Sequence, residues 1–176
     1  MRSTLDLLTH YATYHRDRRN IATHFTGMPL VVFGAGVLLA RPAIEIGSLD
    51  LTPAWLLWAA STIWYLTRGD LVLGVAVSLA NAVLLTLAQP LAAGSTLAWL
   101  AWGGGASVIG WMMLFVGHCY EGRKGAIADD ALALLVGPMF VMAETLFALG
   151  WGKSMLAEIE RRAGPTHARD LAAMRS

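Results

Sequence analysis

Hydrophobic and polar positions are sharply segregated along the chain. Residues 20–40, 51–67 and 71–120 contain no Asp, Glu, Lys or Arg. Within these blocks the apolar runs at 53–67, 71–93 and 97–118 each approach the roughly 20 residues that carry a helix across a bilayer. Gly27 and Pro29 interrupt the block before them, and proline suits a first helical position, so a first membrane helix is expected over 29–46 with Arg41 snorkelling to an interface. Residues 3–19 read as an amphipathic helix lying on a membrane surface, with Leu5, Leu8 and Tyr11 on one side and Arg16, Arg18 and Arg19 gathered at its end. The last apolar run, 131–152, is interrupted by Gly137-Pro138 and carries Glu144. It is therefore expected to be a kinked span or a broken, re-entrant element.

Composition agrees with this pattern. Hydrophobic residues make up 56% of the 176 and charged residues only 14%, against about 25% charged in ordinary soluble domains. The net charge of +1 gives no reason to expect nucleic acid as a partner. A single cysteine, Cys119, excludes an intrachain disulfide. The first 19 residues are polar and charged, unlike a removable secretory signal, so the first hydrophobic run is expected to be retained. The fold expected is all-α: an integral membrane helical bundle of four to six membrane-embedded segments with an N-terminal interfacial helix. Residues 1–152 would form the membrane-embedded catalytic domain and 153–176 a basic cytoplasmic tail. Trp55, Trp58, Trp64, Tyr65, Trp99 and Trp102 lie near span ends, where amphipathic rings belong. The basic N-terminus, Arg68, Arg123 and Lys124 favour the cytoplasmic side, and the basic tail favours both termini there.

The few polar residues left carry the candidate chemistry. This topology puts His10, His15, His24 and His118, four of five histidines, on one side of the membrane at the polar ends of hydrophobic segments. A lone interfacial histidine is more often a polar edge residue than a ligand, but convergence from separated segments shifts the balance. In Tyr14-His15-Arg16-Asp17-Arg18-Arg19-Asn20-Ile21-Ala22-Thr23-His24 the two histidines are nine apart and would point roughly 180° from each other on one unbroken helix. A break near Asn20 would let both reach one centre, the Asn side chain capping the second helix or holding a ligand. In Gly117-His118-Cys119-Tyr120-Glu121 the histidine and carboxylate are three apart and so neighbours on one helical face. Glu121 then binds metal with His118, accepts a hydrogen bond from it, or forms an interfacial salt bridge to Arg123 or Lys124. An unpaired Glu144 at membrane depth is costly. It is expected to face the histidines, as a ligand or a neighbour of one, or to make a helix-packing hydrogen bond. His10 is expected to contact interfacial solvent, His167 to be exposed in the tail, and Cys119 to diverge from His118 by roughly 100°.

These motifs, in this order and flanking a hydrophobic block, resemble the 2-hydroxy fatty acid dioxygenase family of small, Mpo-like membrane proteins. The resemblance covers most of residues 8–150. It is carried by Tyr14-His15, Asn20, His24, Gly27 and Pro29, then Phe115, Gly117-His118, Glu121 and Ala126, then Phe140 and Glu144. The chain departs from the family pattern at Leu114, where glutamine is usual, and at Gly125, where proline is usual; neither is a proposed ligand. The resemblance implies an Fe(II)-dependent dioxygenase that performs alpha-oxidation of 2-hydroxy fatty acids to products one carbon shorter. It implies iron held by His15, His24 and His118, with Asn20, Glu121, Arg123 and Glu144 serving the site. Arg123 or Lys124, with Arg19, would attract the substrate carboxylate. The expected partners are a long-chain 2-hydroxy fatty acid, dioxygen and the lipid bilayer. The centre would face the cytoplasm from the inner membrane of a bacterium or the endoplasmic reticulum of a eukaryote.

Two readings from other classes compete. A non-catalytic lipid-binding or scaffolding membrane protein would carry the same interfacial histidines without bound iron. A small transporter would use Glu144 in a proton relay and is favoured by inverted internal repeats, of which the sequence shows none. A di-iron hydroxylase or desaturase needs more clustered histidines than the five here.

Overall fold

The structure is a computed structural model that describes residues 2–41, 43–46, 49–122 and 132–169. Among the described residues the chain forms seven helices and one short hairpin. In order these are α1 (Thr4–Ala12), α2 (Arg18–Ala40), β1 (Ile44–Ile46), β2 (Leu49–Leu51), α3 (Pro53–Leu66), α4 (Leu71–Ala92), α5 (Thr96–Glu121), α6 (Ala133–Ala148) and α7 (Lys153–Ala163). The expected all-α membrane class holds. Among the described residues three helices, α2, α4 and α5, are long and apolar enough to cross a membrane. The 14 residues of α3 span only about 21 Å at 1.5 Å per residue, short of a ~30 Å hydrocarbon core.

Local chemistry sets most of the boundaries. Ser3 and Asp6 form a reciprocal capping box at the start of α1. Thr52 caps α3 ahead of Pro53, and Asp70 Oδ1 accepts from the Leu73 amide at the start of α4. Between α3 and α4 the chain turns at Gly69, whose φ of +98° is one that side chains bearing a Cβ rarely adopt.

Four expectations need correction. The N-terminal helix stops at Ala12 rather than 19, because the following turn is held by tertiary hydrogen bonds described below. The break that redirects the chain therefore falls at residues 13–17, and Asn20 is already the third residue of α2. Helix α2 runs through Pro29 without interruption. Proline removes one amide donor there, a loss that membrane helices tolerate. Residues 44–46, which were expected to be helical, instead pair antiparallel with 49–51, as Ile44 with Leu51, Glu45 with Asp50 and Ile46 with Leu49. The alternating β-branched Ile44-Glu45-Ile46 favours that geometry. Finally, α6 continues through Pro138, and the break lies between α6 and α7, which bend by 120°. Gly150 and Gly152, both at positive φ, make that turn.

The chain divides into two compact units, 1–28 with 112–176, and 29–111. In the second, α3 and α4 form a hairpin in which Trp58 Nε1 donates to the Ser78 carbonyl at 2.9 Å. Ala40, Ala54, Leu85 and Ala92 make its buried cluster, with Leu39, Trp55, Trp58 and Trp99 packed against it. Trp99 Nε1 donates at 2.8 Å to the carbonyl of Val37, in the last turn of α2, where carbonyls lack helical partners. Arg41 lies over the Trp99 ring, 4.8 Å from its centre. In the first unit, α1 packs against α6 and α7.

Candidate metal centre

Three imidazoles converge in the first unit. His15 lies in the turn between α1 and α2, His24 in the second turn of α2, and His118 near the end of α5. His15 and His24 are buried and His118 half-buried, and one ligand atom from each lies within 4.8 Å of the others. The ring centres are 4.4 Å apart for His15–His24, 4.9 Å for His15–His118 and 5.4 Å for His24–His118.

The hydrogen bonds set the tautomers. His15 Nδ1 lies 2.8 Å from the Tyr11 carbonyl and His24 Nδ1 lies 2.9 Å from the Asn20 carbonyl, each partner four residues earlier. A carbonyl only accepts, so both Nδ1 atoms carry the proton and donate it. Burial, followed by the neighbouring His24, holds His15 well below the ordinary histidine pKa, so it is neutral near pH 7. In neutral rings both Nε2 atoms are then lone-pair acceptors, and they face each other at 3.0 Å. Two lone pairs at that distance need an electrophile between them. Among the described residues the buried Nδ1 of His118 has no hydrogen-bond partner, which leaves its lone pair as a third donor to such an ion. This donor set suits a divalent transition metal.

The walls are aromatic. Tyr11 stacks on the His15 ring, centres 4.1 Å apart and planes 5° from parallel, and Phe140 lies 5.1 Å from Tyr11 and 5.5 Å from His15. Burial pushes the Tyr11 phenol upward, so it stays neutral.

A polar network holds the histidine turn. Glu121, on α5 one turn beyond His118, is completely buried. Its Oε2 accepts from the amides of Arg16 at 3.0 Å and Asp17 at 2.8 Å, and from Asn20 Nδ2 at 3.2 Å. Asn20 Nδ2 also donates to the Tyr14 carbonyl at 3.1 Å. Asp17, likewise buried, accepts from the amide and guanidinium of Arg19. That hydrogen bonding by Arg19 holds the Asp17 carboxyl well below the usual range despite its burial. Close helix approach completes the arrangement: a Cβ on Gly117 would strike Thr23 Oγ1 and lie 2.5 Å from Asn20 Oδ1.

The structure thus brings His15, His24 and His118 together and sets Asn20 and Glu121 immediately behind them. The hydrogen bonds of Glu121 go to the turn and to Asn20, and its ion pair is with Arg169. Glu144 is half-buried on α6 with Arg16 and Glu160 as electrostatic neighbours, outside the converging set. Arg123 and Lys124 lie outside the described residues. His10, His167 and Cys119 are exposed. Tyr11 as a wall, and Asp17 and Arg169 as holders, are site residues that the sequence did not single out, whereas Phe140, the other wall, is among the residues that carry the family resemblance. The helical spacing of Tyr11 and His15, four apart, is the signal that could have found one of them.

A family model described as 2-hydroxy-palmitic acid dioxygenase Mpo1-like matches residues 1–149. The chain belongs to the Mpo1-like family. A relative from Saccharomyces cerevisiae, 2-hydroxy-palmitic acid dioxygenase MPO1, is 31% identical over 153 residues, which covers 85% of this chain and 83% of the relative. No solved structure matches the chain. Within this Mpo1-like chain the family match takes in all three histidines, Asn20, Glu121 and Glu144, and ends before α7.

Proposed function

We propose that this chain is an integral membrane, Fe(II)-dependent dioxygenase that performs alpha-oxidation of long-chain 2-hydroxy fatty acids, releasing the carboxyl carbon and leaving a product one carbon shorter. The observation that carries the proposal is the pair of facing Nε2 atoms, 3.0 Å apart, with both Nδ1 protons committed to helix carbonyls. The substrate class comes from the family, whose yeast member is named for 2-hydroxy-palmitic acid.

In this proposal His15, His24 and His118 hold the ion. Bound ferrous iron would supply the activation of dioxygen that side chains alone lack. The chain's own residues do the rest. The carbonyls of Tyr11 and Asn20 keep both Nδ1 atoms protonated, so each Nε2 stays available as a ligand. Tyr11 and Phe140 exclude water from one side of His15. Glu121 and Asn20 hold the histidine turn in place rather than touching the reacting atoms. Three neutral imidazoles carry no charge, so the substrate's carboxylate is drawn in without competition from a protein anion in the ligand set. Arg123 is the residue assigned to attract that carboxylate, and Glu144, an electrostatic neighbour of Arg16, is assigned a supporting role from α6. The acyl chain lies along apolar surface such as Phe115, which is 71% exposed one turn before His118. The centre faces the cytoplasm, the side favoured by the basic residues near the span ends.

The test is incubation of anaerobically iron-loaded protein with a long-chain 2-hydroxy fatty acid and oxygen, with mass analysis of the products. A product one carbon shorter is expected, and His24→Ala should lose both iron and product. Unchanged substrate with iron confirmed present overturns the proposal. Protein that retains no iron, whether or not His24 is intact, favours the lipid-binding alternative.

A further inference from the structure

The segment after α7 does not behave as a free tail. His167 pairs with Asp17 in a parallel bridge: the Arg18 amide donates to the His167 carbonyl at 3.0 Å, and the His167 amide donates to the Arg16 carbonyl at 2.9 Å. Arg16 Nη1 reaches the Gly164 carbonyl at 2.8 Å, and the Arg169 amide donates to Asp17 Oδ2 at 2.8 Å. Residues 164–169 are thus laid along the turn that carries His15, and they lie beyond the residues that match the family model.

Arg169 also closes the network beneath the histidines. Its Nη2 lies 3.1 Å from Oε1 of Glu121. Among the described residues it is the one ion-pair partner of that fully buried carboxylate. A buried anion that loses its cation is left uncompensated, and the surrounding structure must shift or admit water. Glu121 is the point through which such a shift would spread. Its other oxygen holds the two amides next to His15 and the side chain of Asn20, whose carbonyl orients His24, while its backbone lies one turn from His118.

We infer that residues Gly164–Arg169 are a clamp on the histidine turn, and that Arg169, acting through Glu121, is a positioning residue that sets how tightly the three-histidine centre holds its metal. The inference rests on the metal reading above. Outer-shell partners of metal ligands are worth about 10- to 100-fold in affinity, and the clamp acts on that scale.

The experiment is titration of the full-length, metal-free protein in detergent with Co(II), reading its absorption bands, followed by release to a chelator. Arg169→Ala should weaken affinity by about tenfold or more and speed release. Arg169→Lys should recover most of the loss, and Arg161→Ala, in an exposed pair with Glu158, should match the wild type. Truncation after Ala163 gives a second measurement: it should speed release, and returning residues 164–176 as a peptide should slow it again. Folded Arg169→Ala or truncated protein that binds and releases Co(II) as the wild type does overturns the clamp and leaves the metal centre standing. Wild-type protein that takes up no Co(II), or takes it up equally after His24→Ala, overturns the metal reading and the clamp with it.

Discussion

The two units solve opposite problems with the same kind of helix. In the 29–111 unit the outward stripe of α4, Val75, Leu79, Val83 and Leu87, is apolar at every i+4 step and exposed, and its buried cluster is small and apolar. In the unit built from 1–28 and 112–176 the interior holds His15, Arg16, Asp17, Asn20, His24 and Glu121, all nearly inaccessible. An apolar exterior is stable only where the solvent is lipid, whereas a charged interior is stable only if nearly every donor finds an acceptor. The tolerance for change of the 1–28 and 112–176 unit is therefore set by hydrogen bonds, and that of the 29–111 unit by packing and by what surrounds it.

The sharpest way to break this contrast is to remove the centre of the polar interior. Glu121→Ala takes the acceptor from two amides, one of the two acceptors from the Asn20 side chain, and the ion-pair partner from Arg169. Breaking a buried ionic network by removing one partner costs about 3–5 kcal/mol, so denaturation in detergent should show a loss of that order together with loss of metal binding. An unchanged midpoint would mean that the interior is wetter than the burial of Glu121 implies.

Next in size is a charge on the exposed apolar stripe of α4. Leu79, 60% exposed and well inside α4, should not tolerate Leu79→Lys in a bilayer, where a central lysine costs about 2.5–3.5 kcal/mol on insertion scales. Ser154→Lys, at an exposed position in the first turn of α7, should be nearly neutral. A membrane-insertion assay compares them, and equal behaviour would erase the distinction between the two surfaces.

A matched pair of glycines then separates stability from site geometry. Gly117 faces Thr23 and Asn20, while Gly34 faces Ser107 and the Gly103 carbonyl, the latter 2.7 Å from a built Cβ. Overpacking of this kind costs about 1–3 kcal/mol, so both alanine variants should be less stable. Only Gly117→Ala, next to His118, should also weaken Co(II) binding, and equal metal affinity in the two variants would show that the α2–α5 approach at Gly117 does not position the histidine.

How much of this was legible in the sequence follows the same division. The packing-limited unit was readable because its signals are local. Uninterrupted apolar runs gave α4 and α5 almost to their ends, and Thr52-Pro53 and Asp70 mark helix starts by chemistry that acts within three residues. The hydrogen-bonded unit was readable only in its residue types. His15, His24 and His118 could be picked out by spacing, but the bend that unites them depends on a carboxylate about a hundred residues away, and nothing local marks residues 13–17 as a break. The clamp was hidden for a stronger reason. Much of its contact with the turn is backbone to backbone, so the sequence Gly164-Pro165-Thr166-His167-Ala168-Arg169 carries no local mark of it.

The smallest effect expected is also the cleanest control on packing. Gly104 and Gly105 lie inside α5, and among the described residues a Cβ at either meets nothing within 4 Å, in contrast to neighbouring Gly103, which meets Leu38 at 2.7 Å. Replacing glycine by alanine in a helix interior gains up to about 1 kcal/mol in water, because glycine loses more backbone freedom on folding. In a bilayer the unfolded reference is already largely helical, so the gain shrinks. Gly105→Ala should accordingly raise the midpoint slightly or leave it unchanged, with Co(II) affinity untouched. A clear loss of stability would mean that these glycines are covered by a helix or a second copy of the chain, making this stretch of α5 a packing face rather than a lipid-facing one.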